Sequence, residues 1–178
     1  GSEMCIRDSV HIFWDNSKQE VVYEIEEPFL NEMEKETLEK IEKYVKEVIV
    51  LDPNLNDTEK NEEQVNKTME EALNSLKISL NEKTKRKIFY YLYRDFVGLN
   101  EIEPLMHDIY IEDIQCNGVN QPLFIVHRIF RNLRTNIIFN DMEKLASFVE
   151  KLAQKCGRYV SYANPILDGS LPDGSRVN

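Results

Sequence analysis

The sequence predicts an α+β fold in which an N-terminal helical bundle precedes a small sheet domain. Through the first half of the 178-residue chain, apolar residues recur at three- to five-residue steps, the spacing of amphipathic helices. After Gly98 the pattern changes to strand-sized apolar runs with turn signals between them, and only one further helix. The predicted domains are an N-terminal arm (1–28), a helical bundle (29–98) and an α/β domain (99–178).

The N-terminal arm and the first helix are separated by Pro28. Residues 10–14 and 20–25 are predicted to form short strands or extended arms. The helix is predicted to begin after Asn31, because an Asn N-cap followed three residues later by Glu34 is a capping box. Pro53 is predicted to end it.

Two further helices complete the predicted bundle. The apolar face of the second consists of Val65, Met69, Ala72, Leu73, Leu76 and Leu80. Asn81 is the predicted N-cap of the third, and Gly98 is predicted to take the left-handed conformation that ends it. Three such helices bury their apolar faces most economically against one another. A surface dedicated to docking a partner is the alternative for this region.

The second half of the chain predicts strands on both sides of a helix. Three strands come first, at 109–118, 122–128 and 129–139. A helix follows, opening at Asn140 or Asp141 and ending near Gly157. A strand is predicted at 158–163, and another starts at Arg176 after a loop-rich stretch.

Charge and composition restrict the possible partners. The net charge is −10, and residues 1–71 carry 8 basic and 20 acidic side chains. Such an acidic region does not favour nucleic-acid binding or adsorption to an anionic membrane. The basic run "KTKRK" at 83–87 is interpreted as a solvated helix face rather than a phosphate site. Three widely spaced cysteines predict neither a disulfide framework nor a zinc site, and they fit a reducing compartment.

No motif of a self-sufficient enzyme is present. The sequence contains no HExxH, no GxSxG and no GxxxxGK[ST], the loop that cradles nucleotide phosphates on backbone N–H groups. The residues alone therefore predict a two-part module. Because an apolar pattern restarts just before Asn178, we expect the sequence to be the front part of a longer protein.

Three motifs, occurring in order, resemble a known family. They are "RDFVGLNEIEPLMHD" at 94–108, "IEDIQCNG" at 111–118 and "GRYVSYANPILDGSLPDGSRVN" at 157–178. Together they resemble the N-terminal region of the type II/type IV secretion ATPase superfamily. The archaeal branch, which drives the archaellum or assembles type IV-like pili, looks closest. The resemblance covers residues 88–178.

The resemblance implies a motor protein whose ATPase lobe is absent from this chain. Members of the family look like two-lobed chains that form homohexameric rings, with a PAS-like N-terminal lobe closing over ATP and Mg²⁺ held by a C-terminal P-loop lobe. The implied partners are that lobe, neighbouring subunits, a membrane platform protein and the pilin or archaellin machinery, without nucleic acid. The implied location is cytoplasmic, at the inner face of the cell membrane. This chain alone should neither hydrolyse ATP nor bind a cofactor tightly.

The resemblance also points to candidate site residues. Arg176, in "LPDGSRV", stands where the family carries an arginine that reaches the nucleotide, and Arg158 is the second catalytic candidate, of the arginine-finger type. Arg134 and Arg128, with Arg176, are candidates for nucleotide binding. A positioned arginine stabilises the negative charge of a phosphoryl group in transfer through bidentate hydrogen bonds. The alternative for each is a surface arginine paired with a nearby acid.

Two other interpretations accompany these assignments. Asp168 and Asp173 each stand before a glycine, so both are interpreted as turn residues and no metal site is predicted. The alternative function is a non-enzymatic PAS-like module that binds a small ligand or a protein. Tyr110, Phe124 and Tyr159 would then line its pocket, although core packing is the simpler role for them.

Overall fold

The computed structural model describes residues 9–49, 58–160 and 166–177. These residues form a mixed structure of helices and sheets, which confirms the predicted α+β class. The helices are α1 (Glu32–Val48), α2 (Thr58–Ser75), α3 (Glu82–Phe96), α4 (Glu103–Met106) and α5 (Met142–Lys155). The strands are β1 (Ser9–Asp15), β2 (Glu20–Glu26), β3 (Ile111–Gln115), β4 (Pro122–His127), β5 (Arg131–Ile138), β6 (Gly169–Ser170) and β7 (Arg176–Val177).

The chain divides into two compact units. One consists mainly of Glu26–Glu103, and the other combines Val10–Ile25 with the chain from Pro104 onward. The strands β1 and β2, predicted within an N-terminal arm, thus belong to the sheet unit. No helix among the described residues is long and apolar enough to cross a membrane.

In the helical unit, α1, α2 and α3 share one apolar core. Its most buried residues are Ile41, Val45, Val65, Ala72, Ile88 and Leu92. The capping box of α1 is confirmed, because the Asn31 side chain accepts from the N–H of Glu34 at 2.9 Å and the Glu34 carboxylate accepts from the N–H of Asn31 at 3.0 Å. The helix ends at Val48. Pro53, the predicted end, lies outside the described residues.

The third helix begins as predicted but ends differently. The Asn81 side chain accepts a hydrogen bond from the N–H of Thr84 at 2.9 Å. The prediction that Gly98 is left-handed is wrong, since the positive φ in this segment, 52°, belongs to Asn100. Glycine is needed at 98 for space. A Cβ there would lie 2.7 Å from the Glu103 Cδ and 2.8 Å from the Arg94 carbonyl oxygen.

The basic run at 83–87 joins α3 to the other two helices. The Lys85 ammonium lies 2.9 Å from the Glu70 carboxylate of α2, and Lys87 lies 2.9 Å from Glu34 of α1. The hydrogen bond with Glu70 raises the pKa of Lys85. The capping N–H of Asn31 and then Lys87 hold the pKa of Glu34 below its ordinary value. These lysines therefore contribute to helix packing.

In the sheet unit, the strand order is β1-β2-β5-β4-β3. Strands β3, β4 and β5 form an antiparallel meander, and β2 runs parallel to β5. The inward-facing core includes Tyr23, Leu123, Ile125 and Leu133. In the chain, α5 and a short ribbon of β6 and β7 follow the last strand of this sheet.

The helix α5 has the predicted ends. Asp141 caps its first turn, and Gly157 follows it with φ 65°. The prediction of a strand at 158–163 is wrong for residues 158–160, which are not in a strand. Residues 161–163 lie outside the described residues. The reason is the helix end itself: the N–H of Arg158 donates to the carbonyl of Ala153 at 2.8 Å and that of Gly157 to Gln154 at 2.9 Å, the pattern of a Schellman cap.

Candidate functional site

The first candidate, Arg176, lies on a short ribbon closed by a tight turn. Strand β6 pairs antiparallel with β7, with Ser170 opposite Arg176. In the turn, the carboxylate of Asp173 accepts from the N–H and from the hydroxyl of Ser175, each at 2.9 Å. Gly174 has φ 89°, a conformation that favours glycine. Asp173 is thus engaged as a turn residue, as predicted, and it holds the backbone that carries Arg176.

The Arg176 guanidinium is exposed and only loosely held. Its Nη2 lies 3.4 Å from the Asp168 carboxylate, and the two side chains are 70% and 65% exposed. An ion pair of this length at the surface contributes about 0–1 kcal/mol. The contact with Asp168 therefore does little to fix the Arg176 guanidinium in one position.

The second candidate, Arg158, lies beside the same ribbon. A Cβ added to Gly169 would lie 2.9 Å from the Cβ of Cys156 and 3.5 Å from the Cγ of Arg158. The absence of a side chain at Gly169 thus allows β6 to approach the end of α5. Burial raises the pKa of the Cys156 thiol, and the charge of Arg158 opposes that shift. The structure therefore places the Arg158 side chain against β6, the strand that pairs with the one carrying Arg176.

A small pocket adjoins Arg158. Its volume is about 100 Å³, and it is lined by Glu150, Ala153, Gln154, Arg158, Tyr159 and Val160. Pockets that enclose a drug-sized ligand measure roughly 300–1,000 Å³. This pocket has room for a side chain or a small ionic group, and Arg158 supplies a positive charge at its edge.

The remaining two arginines have carboxylate partners of their own on the five-stranded sheet. Arg134 on β5 is half-buried and donates to Glu20 of β2 at 3.0 Å. Arg128, after β4, is exposed and lies 3.3 Å from Glu112 of β3. Both contacts agree with the alternative interpretation, in which each arginine pairs with a nearby acid. Neither contact involves a residue of the β6–β7 ribbon.

The aromatic residues proposed for a ligand pocket have separate surroundings. Tyr110 is exposed and stacks on His127 with ring centroids 5.7 Å apart. Tyr159 is exposed and lines the pocket beside Arg158. Phe124 is half-buried on β4. Among the described residues, no group of three or more His, Cys, Asp or Glu side chains is arranged to hold a metal ion.

A network of charged side chains surrounds Arg94, a residue that was not among the candidates predicted from the sequence. Its Nη1 donates to both carboxylate oxygens of Glu27, at 2.7 and 2.8 Å, and its Nε donates to Asp95 at 2.6 Å. The guanidinium also lies over the ring of Tyr91, 4.9 Å from its centroid. The hydroxyl of Tyr90 donates to Glu27 at 3.0 Å. The signal in the sequence is that Arg94 lies among the apolar positions that α3 buries. A buried guanidinium requires hydrogen-bonding and oppositely charged partners.

Two carboxylates hold the ends of the helical unit near the C-terminal end of α3: Glu27 binds Arg94 on α3, and Glu103 binds the backbone just after α3. Glu27 lies where the chain enters the unit, and Glu103 lies where it leaves. The carboxylate of Glu103 accepts from the N–H of Leu99 at 2.6 Å, against the face that Gly98 leaves open. The motif at 94–108 therefore builds the attachment of two chain segments to the end of one helix.

A buried histidine stabilises the turn between β4 and β5. The Nδ1 of His127 accepts from the N–H groups of Ile129 and Phe130, at 3.2 and 3.4 Å. The imidazole proton therefore resides on Nε2. His127 is a packed residue with a hydrogen-bonding role in the turn.

No protein-family model matches the chain. Three uncharacterised proteins of Methanocaldococcus jannaschii are similar to it. The first is 39% identical over 167 residues, covering 94% of this chain and 66% of the relative. The second is 45% identical over 102 residues, covering 57% and 18%, and the third is 37% identical over 90 residues, covering 51% and 12%. The chain thus spans less than a fifth of two of these relatives.

Proposed function

We propose that this chain is the N-terminal regulatory and partner-docking part of a hexameric ATPase that powers secretion, pilus or archaellum assembly. In this proposal its sheet unit is the PAS-like lobe that closes over ATP and Mg²⁺ bound by a separate P-loop lobe. The observation that carries the proposal is the presentation of Arg176: its backbone is fixed by the Asp173 turn, and its guanidinium is exposed. The acidic region 1–71 would dock a basic cytoplasmic surface of a platform protein or of a switch component.

The local chemistry of the two arginines fits a phosphate. A guanidinium offers a planar set of N–H donors that binds phosphate oxygens bidentately. The 3.4 Å contact with Asp168 is weak enough to exchange for such a ligand. Arg158, beside Gly169, supplies a second positive charge next to the ribbon. Arg176 would stabilise the charge that develops on the transferred phosphoryl group, and Arg158 would orient it.

The lengths of the relatives support a module within larger proteins. In the second relative the matched 102 residues are 18% of the chain, and in the third the matched 90 residues are 12%. More than four fifths of each therefore lies outside the match. That remainder is large enough for a P-loop lobe, which this proposal requires.

The test uses the longer natural chain that carries this module. Arg176→Ala should lower kcat for ATP hydrolysis by about 10³-fold, the lower range for removal of an arginine finger. Arg176→Lys should recover only part of the loss, because an ammonium cannot bind bidentately. The matched control is Arg86→Ala, at an exposed arginine of α3. Unchanged turnover in Arg176→Ala would remove the site assignment.

A second function, a non-enzymatic PAS-like binding module, is favoured by the first relative. The match covers 66% of that protein, so its remainder is about half as long as the matched part and shorter than a typical domain of roughly 100–150 residues. Native mass spectrometry distinguishes the two functions. A co-purified ligand would favour the module, whereas a clean mass of the chain alone would count against small-ligand binding.

A further inference from the structure

Among the residues that the structure describes, strand β1 forms one edge of the five-stranded sheet. The β1 sequence lacks the features that protect a sheet edge. The strand order places β3 at the other edge. There, Glu112 and Asp113 put charges on the strand, and the pairing with β4 shifts register between Ile111 and Asp113. Charges and bulges of this kind block association between sheet edges. The sequence of β1, SVHIFWD, has a single acidic residue, Asp15, at its end.

Both faces of β1 expose apolar side chains. Successive side chains of a strand alternate between faces, so Val10, Ile12 and Trp14 share one face and Phe13 lies on the other. Val10, Phe13 and Trp14 are 39%, 43% and 56% exposed. An edge strand with this much exposed apolar surface is a template for another strand.

The hairpin holds β1 in its extended form. After the strand, the carboxylate of Asp15 accepts from the N–H of Ser17 at 2.8 Å and from its hydroxyl at 2.6 Å. These bonds fix the turn into β2. Because β1 is already ordered, pairing with it costs less conformational entropy than pairing with a flexible segment.

We propose that two copies of this chain pair antiparallel through β1, in a register centred on Ile12, so that their five-stranded sheets join edge to edge. In this register Ile12 faces Ile12 of the other copy, and Val10 faces Trp14. His11 faces Phe13 on the opposite side of the sheet. Aromatic and β-branched residues placed directly opposite each other stabilise antiparallel strands, and the register places no two like charges opposite each other.

The alternatives among copies of this chain are less favourable. Antiparallel pairing of β3 with itself, centred on Asp113, would place two carboxylates opposite each other, which is destabilising. Pairing β1 with β3 of another copy would leave one β1 edge and one β3 edge unused in each pair, so further copies would add until a ring closed or a filament formed. Pairing through β1 alone is two-fold symmetric and closed. It is therefore a contact separate from the heterologous contacts of the proposed ring, and it does not depend on the proposed function.

Sedimentation equilibrium of the chain tests the contact. Between about 10 and 200 µM, a range that covers micromolar association, the mass should rise from 21.0 kDa towards twice that value. Added salt should strengthen the association, because each copy carries a net charge of −10. Trp14→Glu should weaken it at least tenfold with an unchanged far-UV circular dichroism spectrum. The matched control, Ile109→Glu at another exposed apolar residue, should not.

Cysteine crosslinking tests the register. In a background with Ser in place of the three native cysteines, Ile12→Cys should form a disulfide-linked dimer on mild oxidation, since opposite residues come within reach of each other. Val10→Cys, displaced along the same strand, should not. A monomer at every concentration, a dimer weakened equally by Ile109→Glu, or crosslinking by Val10→Cys but not by Ile12→Cys would overturn the proposal.

Discussion

Replacing Arg94 with methionine should strongly destabilise the helical unit. The side chain is only 10% exposed, and its donors hold Glu27 and Asp95 at distances between 2.6 and 3.0 Å. Burial alone would lower the pKa of Arg94, but the hydrogen bonds and charges of Asp95 and Glu27 raise it. Methionine fills much of the volume and supplies none of these bonds, so two carboxylates lose their counter-charge.

The expected loss is about 3 kcal/mol. Removing one partner of a buried ion pair costs roughly 3–5 kcal/mol. Glu27 and Asp95 keep 27% and 24% side-chain exposure, so water recovers part of their solvation and the lower end of that range applies. With a urea m-value of about 2 kcal/mol/M, the midpoint should fall by about 1.5 M. Circular dichroism at 222 nm follows the helices, while fluorescence of Trp14, the one tryptophan of the chain, follows the sheet unit.

A double-mutant cycle isolates the ion pair. Glu27→Gln combined with Arg94→Met should be less destabilising than the sum of the two single changes, because the double variant leaves no unpaired Glu27 carboxylate. Arg94→Lys should fall between wild type and Arg94→Met, since lysine keeps the charge and loses the planar set of donors. A loss below about 0.5 kcal/mol for Arg94→Met, the range of ordinary surface substitutions, would refute the reasoning.

Three further predictions concern single contacts. Glu34→Gln should lower stability to urea at pH 7 and have a much smaller effect at pH 3. Folding lowers the pKa of Glu34, so the carboxylate stabilises the fold above the ordinary pKa of 4.5. This stabilisation is lost as the pH falls through the pKa of the folded state. An equal effect at both pH values would contradict this. Gly98→Ala should cost about 1–3 kcal/mol in thermal unfolding, because its methyl group would overlap a backbone carbonyl; an unchanged melting temperature would show that the segment relaxes. His127→Leu should accelerate amide hydrogen exchange at Ile129 and Phe130, which lose their acceptor, and unchanged exchange there would exclude this role.

The sequence predicts the ends of a helix well where they depend on residues close by in the chain. The capping box of α1, the N-cap at Asn81 and the glycine end of α5 each depend on side chains within a few residues of the backbone they serve. Gly98 shows the limit of such local rules. Its position after a helix predicted a left-handed residue, but its actual constraint is the approach of Glu103 and the Arg94 carbonyl.

Contacts between distant parts of the chain could not be predicted. Glu27 and Arg94 are 67 residues apart, and the side chain of Asn136 bonds the backbone of Ile25 across 111 residues. The turn that presents Arg176 followed from its Asp-Gly sequence. The approach of Arg158 to that ribbon did not, because it depends on how closely Gly169 packs against α5. The sequence thus indicated the candidate arginines, and the fold shows that Arg158 lies against β6, the partner strand of the one that carries Arg176.

The most direct test of the motor proposal is to read the natural open reading frame beyond Asn178. The proposal predicts a strand followed by GxxxxGK[ST] and then an acidic Walker B strand, because it assigns Arg176 to a nucleotide that another lobe would hold. A frame that ends without this motif, or continues into an unrelated domain, would contradict the proposal and leave the binding module as the function to pursue.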